Sequence, residues 1–269
     1  MDILHSARVI DLGNFITGPY TAMLLGELGA DVVKVELPGT GDPFRAFKSG
    51  LYSPQFQSHN RHKRSMTVDY ARPAGLAILH ELLARADVVV MNNRPGVAAK
   101  LGIDFPRLHA LNPRLVYCSI TGFGPDGPYA GRPAYDNVGQ TLAGWLSLFH
   151  KGGDARIAGP AVTDALTGVF AAIGILGALY DREKSGVGRR VDVSMLEATL
   201  AFATEPIGHY FATGETPGPH SRAAMSQAYL LDCKDGKRIG LHMSSPEKFW
   251  AGLARRLFSW SCAERPLRA

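Results

Sequence analysis

The sequence predicts an α/β fold in which helices cover both faces of a parallel sheet, followed by the start of a second, smaller α+β domain. Three observations carry this. Short β-branched runs alternate with apolar-periodic segments of helical length along most of the chain. Each run ends in a stretch rich in Gly, Pro, Asn or Thr. After residue 212 the alternation gives way to a hairpin signal and one amphipathic segment.

The elements follow in order. Ala7 to Leu12 reads as a buried strand, and the apolar-periodic helix Tyr20 to Leu28 covers it until Gly29 stops it. Asp31 to Glu36 is the next strand. Pro73 suits a first helical position, so a helix runs from Pro73 to Arg85 and leads into a strand at Asp87 to Met91. A short helix near Gly96 to Leu101 precedes the strand Leu115 to Ile120. From Asp164 a long helix reaches about Arg182, ended by Lys184 to Gly188, and Arg190 to Ser194 is a further strand. Leu196 to Phe211 reads as one more helix. The polar Gly/Pro loop Thr213 to His220 marks a boundary, giving a large domain over 1–212 and a partial small domain over 213–269. In the latter, Ala228 to Cys233 and Lys237 to Met243 flank Asp235-Gly236, a two-strand hairpin signal, and Pro246 to Leu257 is an amphipathic helix. A hairpin and one helix make a poor core by themselves.

Composition narrows the function classes. With 46% hydrophobic and 20% charged residues the chain has the make-up of a soluble globular protein. Its net charge of +5 is scattered except at Arg61-His62-Lys63-Arg64, which reads as a local phosphate site or as a solvated basic loop, not as a nucleic-acid face. Cys118, Cys233 and Cys262 match no zinc or redox spacing, so no metal site is expected and a reducing cytoplasm is. Met1 to Arg8 lacks the order of a signal peptide, and the longest apolar run, Val169 to Tyr180, is too short to span a bilayer, so no membrane partner is expected. No G-x-G-x-x-G follows the first strand and no G-x-x-x-x-G-K-[ST] occurs, so no tightly bound nucleotide cofactor is predicted.

Ligands of such a Rossmann-like, doubly wound sheet sit at the carboxyl ends of its strands, here residues 12–19, 36–45, 92–96 and 121–130. The most informative acid lies elsewhere. Asp164 stands in Gly159-Pro-Ala-Val-Thr-Asp-Ala-Leu-Thr-Gly168, where a glycine- and proline-bearing loop enters an apolar helix. A carboxylate held there, beside small residues that leave room for a ligand, can act as a nucleophile toward an activated acyl group. The plainer role is that Asp164 or Thr163 caps the helix. The two are compatible, because a helix N-terminus is expected to keep the acid ionised near neutral pH.

Several motifs in sequence carry a likeness. They are Val9-Ile-Asp-Leu-Gly13 with Thr17-Gly-Pro19, Leu28 to Glu36, Lys63-Arg-Ser65 with Val68-Asp69, Asn92 to Gly96, Asn112-Pro-Arg114, Tyr135-Asp-Asn137 and Val191 to Met195. Together they resemble the class III CoA-transferases, the superfamily of formyl-CoA transferase, carnitine CoA-transferase and alpha-methylacyl-CoA racemase. The likeness covers the chain to about residue 250 and fades near Leu257, while family members run on, so the chain reads as truncated at its C terminus.

The resemblance implies a cytoplasmic enzyme that moves coenzyme A between carboxylic acids, built as an interlaced homodimer, with acyl-CoA and a carboxylic acid as substrates. It maps the nucleophile onto Asp164 and an aromatic of the acyl site onto Tyr135. CoA contacts map onto Ile16 and Thr17, onto Val68 to Ala71, onto Asn92, Asn93 and Arg94, and onto Lys100, with Arg64, Arg45 and Arg72 as further phosphate candidates. The glycine-rich backbone near Gly159 or Gly168 is the expected oxyanion donor. In the racemase relatives a histidine stands where Tyr135 does, and tyrosine, with an ordinary pKa of about 10, is poorly matched to proton exchange near neutrality. A racemase, or a silent CoA-binding fragment, is the alternative.

Overall fold

The computed structural model describes residues 2–47, 50, 52–150, 156–157, 159–244 and 246–260. Its elements are β1 (Arg8–Asp11), α1 (Thr17–Glu27), β2 (Asp31–Glu36), α2 (Pro54–His59), β3 (Lys63–Thr67), α3 (Pro73–Leu83), β4 (Val88–Met91), α4 (Val97–Lys100), α5 (Phe105–Leu111), β5 (Val116–Thr121), α6 (Asp136–Leu142), α7 (Val162–Ser185), β6 (Arg190–Ser194), α8 (Met195–Phe202) and α9 (Thr204–Thr213). Then come α10 (Ser221–Ser226), β7 (Ala228–Asp232), β8 (Arg238–His242) and α11 (Pro246–Trp260). The chain forms two compact units, 1–145 with 157–204 and 146–156 with 205–269. Helix α9, which buries no side chain, falls almost wholly in the second unit, whereas the sequence places it before the boundary at 212.

In the larger unit six strands pair in parallel in the order β3-β2-β1-β4-β5-β6. The order reverses between β1 and β4, which opens a crevice at their carboxyl ends. Both faces are covered. Val9, Val32, Val88, Val90, Val116 and Ile120 pack with Leu25 of α1 and Ala171 and Ile175 of α7 on one face. Ile10, Val35, Val89, Met91 and Tyr117 pack with Leu79 and Leu83 of α3 and Leu108 of α5 on the other. Val88 to Met91 are therefore buried without alternation, as a central strand between two helical layers requires.

Several expectations change. The second half of the basic cluster, Lys63 and Arg64, opens the edge strand β3, whose Lys-Arg-Ser-Met-Thr sequence has no apolar run because an edge strand needs none. Leu196 to Phe211 is two helices divided at Ala203. Helix α7 starts at Val162 and runs 24 residues, twice the apolar run counted in the sequence, until Gly186 takes a left-handed φ of 73°. By length and composition it could cross a membrane, but Ala171, Ala172, Ile175 and Ala178 are buried, as in a core helix.

In the smaller unit β7 and β8 pair antiparallel in the register Ala228 to His242. Met243 is its one buried apolar side chain among the described residues.

Candidate active site

The crevice floor rests on a buried charge network that the sequence reading did not find. Asp11, Lys34 and Asp42 are at most 2% exposed, at the end of β1, within β2 and in the loop after β2. Lys34 Nζ donates to the Gly13 carbonyl at 2.7 Å and lies 3.0 Å from Asp42 and 3.6 Å from Asp11. Lys63 Nζ donates to Asp11 at 2.8 Å, to the Pro19 carbonyl at 2.7 Å and to Asn60 at 2.8 Å. Burial disfavours the Asp11 charge, but Lys34 and Lys63 outweigh it and hold the carboxyl below its usual range. Lys63 goes the other way, because burial outweighs Asp11 and brings the ammonium down to about 8. Beside this network Glu36 holds Arg45 through two 2.7 Å bonds and accepts the Asp42 amide.

What the network positions is the turn between β1 and α1. Asp11 accepts the Gly13 amide, and Asp42 accepts the amides of Phe15 and Phe44. Phe15 stands at a φ of 61°, a conformation costly for a bulky side chain, and this bond helps to hold it. Gly13 and Gly18 touch so closely that a Cβ on either would come within 2.9 Å of the other's Cα. Asn92, at the end of β4, ties in from the far side: Oδ1 accepts the Asn14 amide at 2.9 Å, and Nδ2 donates to the Asn14 carbonyl at 2.7 Å and to Thr17 Oγ1 at 2.9 Å.

Above this turn opens a cleft of about 260 Å³. Of the residues singled out in the sequence, Ile16, Thr17, Asn92, Asn93, Arg94, Tyr135 and Asp164 line it. Phe15 and Arg132 also line it, and the sequence reading had passed over both. Ile16 and Thr17 are the N-cap and first residue of α1, so the positive end of that helix stands on the wall. Arg64, Val68, Arg72 and Lys100 are not on the wall. Arg64 pairs with Asp31 on the exposed sheet edge, Val68 is buried in the core, Arg72 is exposed beside Asp69, and Lys100 ends α4 in solvent.

Three expectations are corrected. The Arg61 to Arg64 cluster is engaged within the protein, since Arg61 pairs with Glu27, Lys63 is buried on Asp11 and Arg64 holds Asp31. Gly168 cannot serve as an oxyanion donor, because it lies buried nearly two turns into α7, where its amide belongs to the helix's own hydrogen bonds. The Asn92 side chain is first a strut for the turn, with both amide hydrogens and one bond to its oxygen spent there, although it also lines the cleft.

Asp164 sits in the first turn of α7, after an N-cap, Ala161, that makes no side-chain bond. It does not cap its own helix. Its backbone amide instead donates to Asp136 Oδ1 of α6 at 3.2 Å. The Asp164 carboxyl is half-buried on the cleft wall. Burial, and after it the neighbouring Asp136 charge, pushes it from an ordinary 3.8 up to about 7. The helix terminus therefore does not keep this acid firmly ionised at neutral pH, as the sequence had suggested. Asp136 is the site residue most clearly missed. The Tyr135-Asp-Asn137 motif contained it, but nothing local ties it to an acid 28 positions away.

Fold and cleft define an α/β protein with a ligand crevice at the reversal of strand order and one carboxylate of raised pKa within it. The family model described as CoA-transferase family III matches residues 4–266, and the chain belongs to that family. The match passes Leu257, where the sequence reading had the likeness fade. The acetyl-CoA:oxalate CoA-transferase of Acetobacter aceti is 40% identical over 213 residues, covering 78% of this chain and 55% of that protein. The succinate–glutarate CoA-transferase of Agrobacterium fabrum is 37% identical over 224 residues, covering 80% and 56%. Among solved structures, a CAIB/BAIF family protein from Brucella suis superposes with a TM-score of 0.79 at 34% identity, covering 87% of this chain and 64% of that one. A hypothetical protein from Mycobacterium tuberculosis gives 0.73 at 32% identity, covering 78% and 59%. The chain thus spans little more than half the length of the curated relatives it matches.

Proposed function

We propose that the protein transfers coenzyme A from an acyl-CoA thioester to a carboxylic acid through an aspartyl-CoA thioester on Asp164. The observation that carries this is a half-buried carboxylate, at the start of a helix, on the wall of the strand-end cleft. Its carboxylate attacks the thioester carbonyl, forming a mixed anhydride and releasing CoA thiolate. The thiolate attacks the aspartyl carbonyl, forming the aspartyl-CoA thioester and releasing the donor acid. The acceptor carboxylate then repeats the two exchanges in reverse, leaving as its CoA thioester and restoring Asp164. An acid that titrates near 7 is a better nucleophile when ionised than one near 4, and near neutrality a large share is ionised.

Tyr135, exposed at the N-cap of α6 and on the cleft wall, shapes the acyl site. Ile16, Thr17, Asn93 and Arg94 meet the coenzyme within the cleft, and Lys100, with Arg72 beside its partner Asp69, is an exposed cation for its phosphate end. Relatives named for oxalate, succinate and glutarate favour small carboxylic acids as partners. A cytoplasmic homodimer completes the proposal.

Intact-protein mass spectrometry after mixing with a panel of acyl-CoA thioesters tests it. The expected result is a CoA-sized adduct on the peptide bearing Asp164, absent in Asp164→Asn. Retained CoA binding with no adduct from any thioester would overturn transfer and leave a CoA-binding chain.

One observation also favours a second reading. A carboxyl near 7 suits proton abstraction beside a thioester carbonyl, as in a racemase. Deuterium uptake from heavy water at that carbon, without CoA transfer, would select it.

A further inference from the structure

The long helix α7 begins without a cap of its own, and its first turn is held by an acid from another helix. Asp136 accepts the Asp164 amide with Oδ1, while its Oδ2 accepts the Gln140 side-chain amide at 2.5 Å. Gln140 is 2% exposed, so this second bond anchors the carboxylate from inside the protein. The helices meet closely, because at Gly139 a Cβ would lie 2.5 Å from Thr163 Cγ2. Thr163 is itself buried and bonded to Thr199 of α8 at 2.9 Å. The fold thus places a fixed negative charge beside the proposed nucleophile, where a neutral Asn or Ser would cap the helix equally well.

Given the aspartyl-CoA reading above, on which this rests, we infer that Asp136 is a positioning residue with two effects on Asp164. It fixes the start of α7 against α6, and its charge favours the covalent state. When the donor carboxylate leaves, the negative charge that Asp164 carried leaves with it, and the aspartyl-CoA thioester beside Asp136 is neutral. Like-charge repulsion present in the free enzyme is thereby relieved. Removing that repulsion stabilises the free carboxylate alone, so the Asp164 midpoint and the ratio of adduct to free enzyme should fall together. The other titratable groups on the cleft wall are Arg94, Arg132 and Tyr135; Tyr20 of α1 packs a turn further along at Gly168, and Glu197 of α8 is exposed. Burial is the larger cause of the raised Asp164 pKa, and the Asp136 charge adds to it.

Asp136→Asn separates charge from shape, since its oxygen can still accept the Asp164 amide and its NH₂ can donate to a flipped Gln140 amide. Titration of the whole chain by carbon NMR, with labelled Asp carboxyls and the Asp164 signal assigned by its loss in Asp164→Asn, reads the first effect. The parent midpoint is expected near 7, and that of Asp136→Asn lower by about one unit. Asp136→Ser gives the same reading should the Asn variant fail to fold. A midpoint unmoved in an uncharged variant overturns the inference, because a purely structural role would slow turnover without shifting a titration. At a pH where Asp164 is ionised in both proteins, the ratio of aspartyl-CoA adduct to free enzyme should fall by about tenfold in Asp136→Asn, matching one unit of midpoint. A parent that titrates as expected but never forms the adduct overturns the transfer reading instead, and the covalent half of this inference with it.

Discussion

Asp164 carries a stability signature as well as a proposed chemical one. Its folded pKa of about 7 exceeds the ordinary 3.8, so ionising it costs more in the folded chain than in the unfolded one. The sign follows: Asp164 opposes folding fully above about 7, and the opposition fades as the pH falls toward 3.8. Asp164→Asn should therefore be more stable than the parent at pH ~8, by on the order of 2–4 kcal/mol, with the gap closing toward pH ~4. Urea melts at the two pH values check this. The same substitution, or Asp164→Ala, should remove at least about three decades of transfer rate, on the order of 4 kcal/mol. A variant within tenfold of the parent refutes the nucleophile. In the parent, transfer should decline by about tenfold per pH unit below about 7, as the carboxyl protonates.

Between elements, two close approaches decide the geometry. Gly139→Ala gains helix propensity of about 1 kcal/mol. It also places a methyl 2.5 Å from Thr163 Cγ2, and overpacking of this kind costs about 1–3 kcal/mol. The clash should win, giving a net loss of stability in denaturant melts and, by moving Asp136 from α7, reduced transfer. Lys63→Met removes one of the two cations facing buried Asp11 and leaves the Pro19 carbonyl without its ammonium donor, a loss on the order of 3–5 kcal/mol. Arg64→Ala, one residue along β3, breaks only an exposed pair with Asp31 and should stay within about 1 kcal/mol. A similar loss from both in thermal melts would contradict the buried network as described.

For the whole molecule, burial is uneven between the two units. In the larger, strands such as Val88–Met91 are sealed on both faces. In the smaller, Tyr229, Leu230, Leu231 and Ile239 are all at least 45% exposed on a two-strand sheet, with Trp250 of α11 at 57%. A hairpin so exposed opens easily. Amide exchange in β7 and β8 should be on the order of a hundredfold or more faster than in β4 and β5, and equal protection would show that this unit has a core of its own.

Legibility differed by kind of feature. Strand β4 was plain because a centre strand buried on both faces must be apolar throughout, and α3 because proline at its start and an apolar period mark it locally. Strand β3 was hidden because edge position, not composition, makes it a strand. Helix α6 was hidden because its place depends on Gly139 meeting Thr163, a contact that leaves no local period.

Five of the six sheet strands, the helices α1, α3 and α7 and the acid at the start of the long helix were legible in the sequence alone, since periodicity, caps and turn residues act within a few positions. Tertiary structure alone decided that Lys63 is a buried counter-ion, that Asn92 is a strut, and that Asp136 stands at the Asp164 amide. These depend on charges and backbones brought together from distant positions. Burial then strengthens every such interaction, so the pKa of the key acid was a property of the fold.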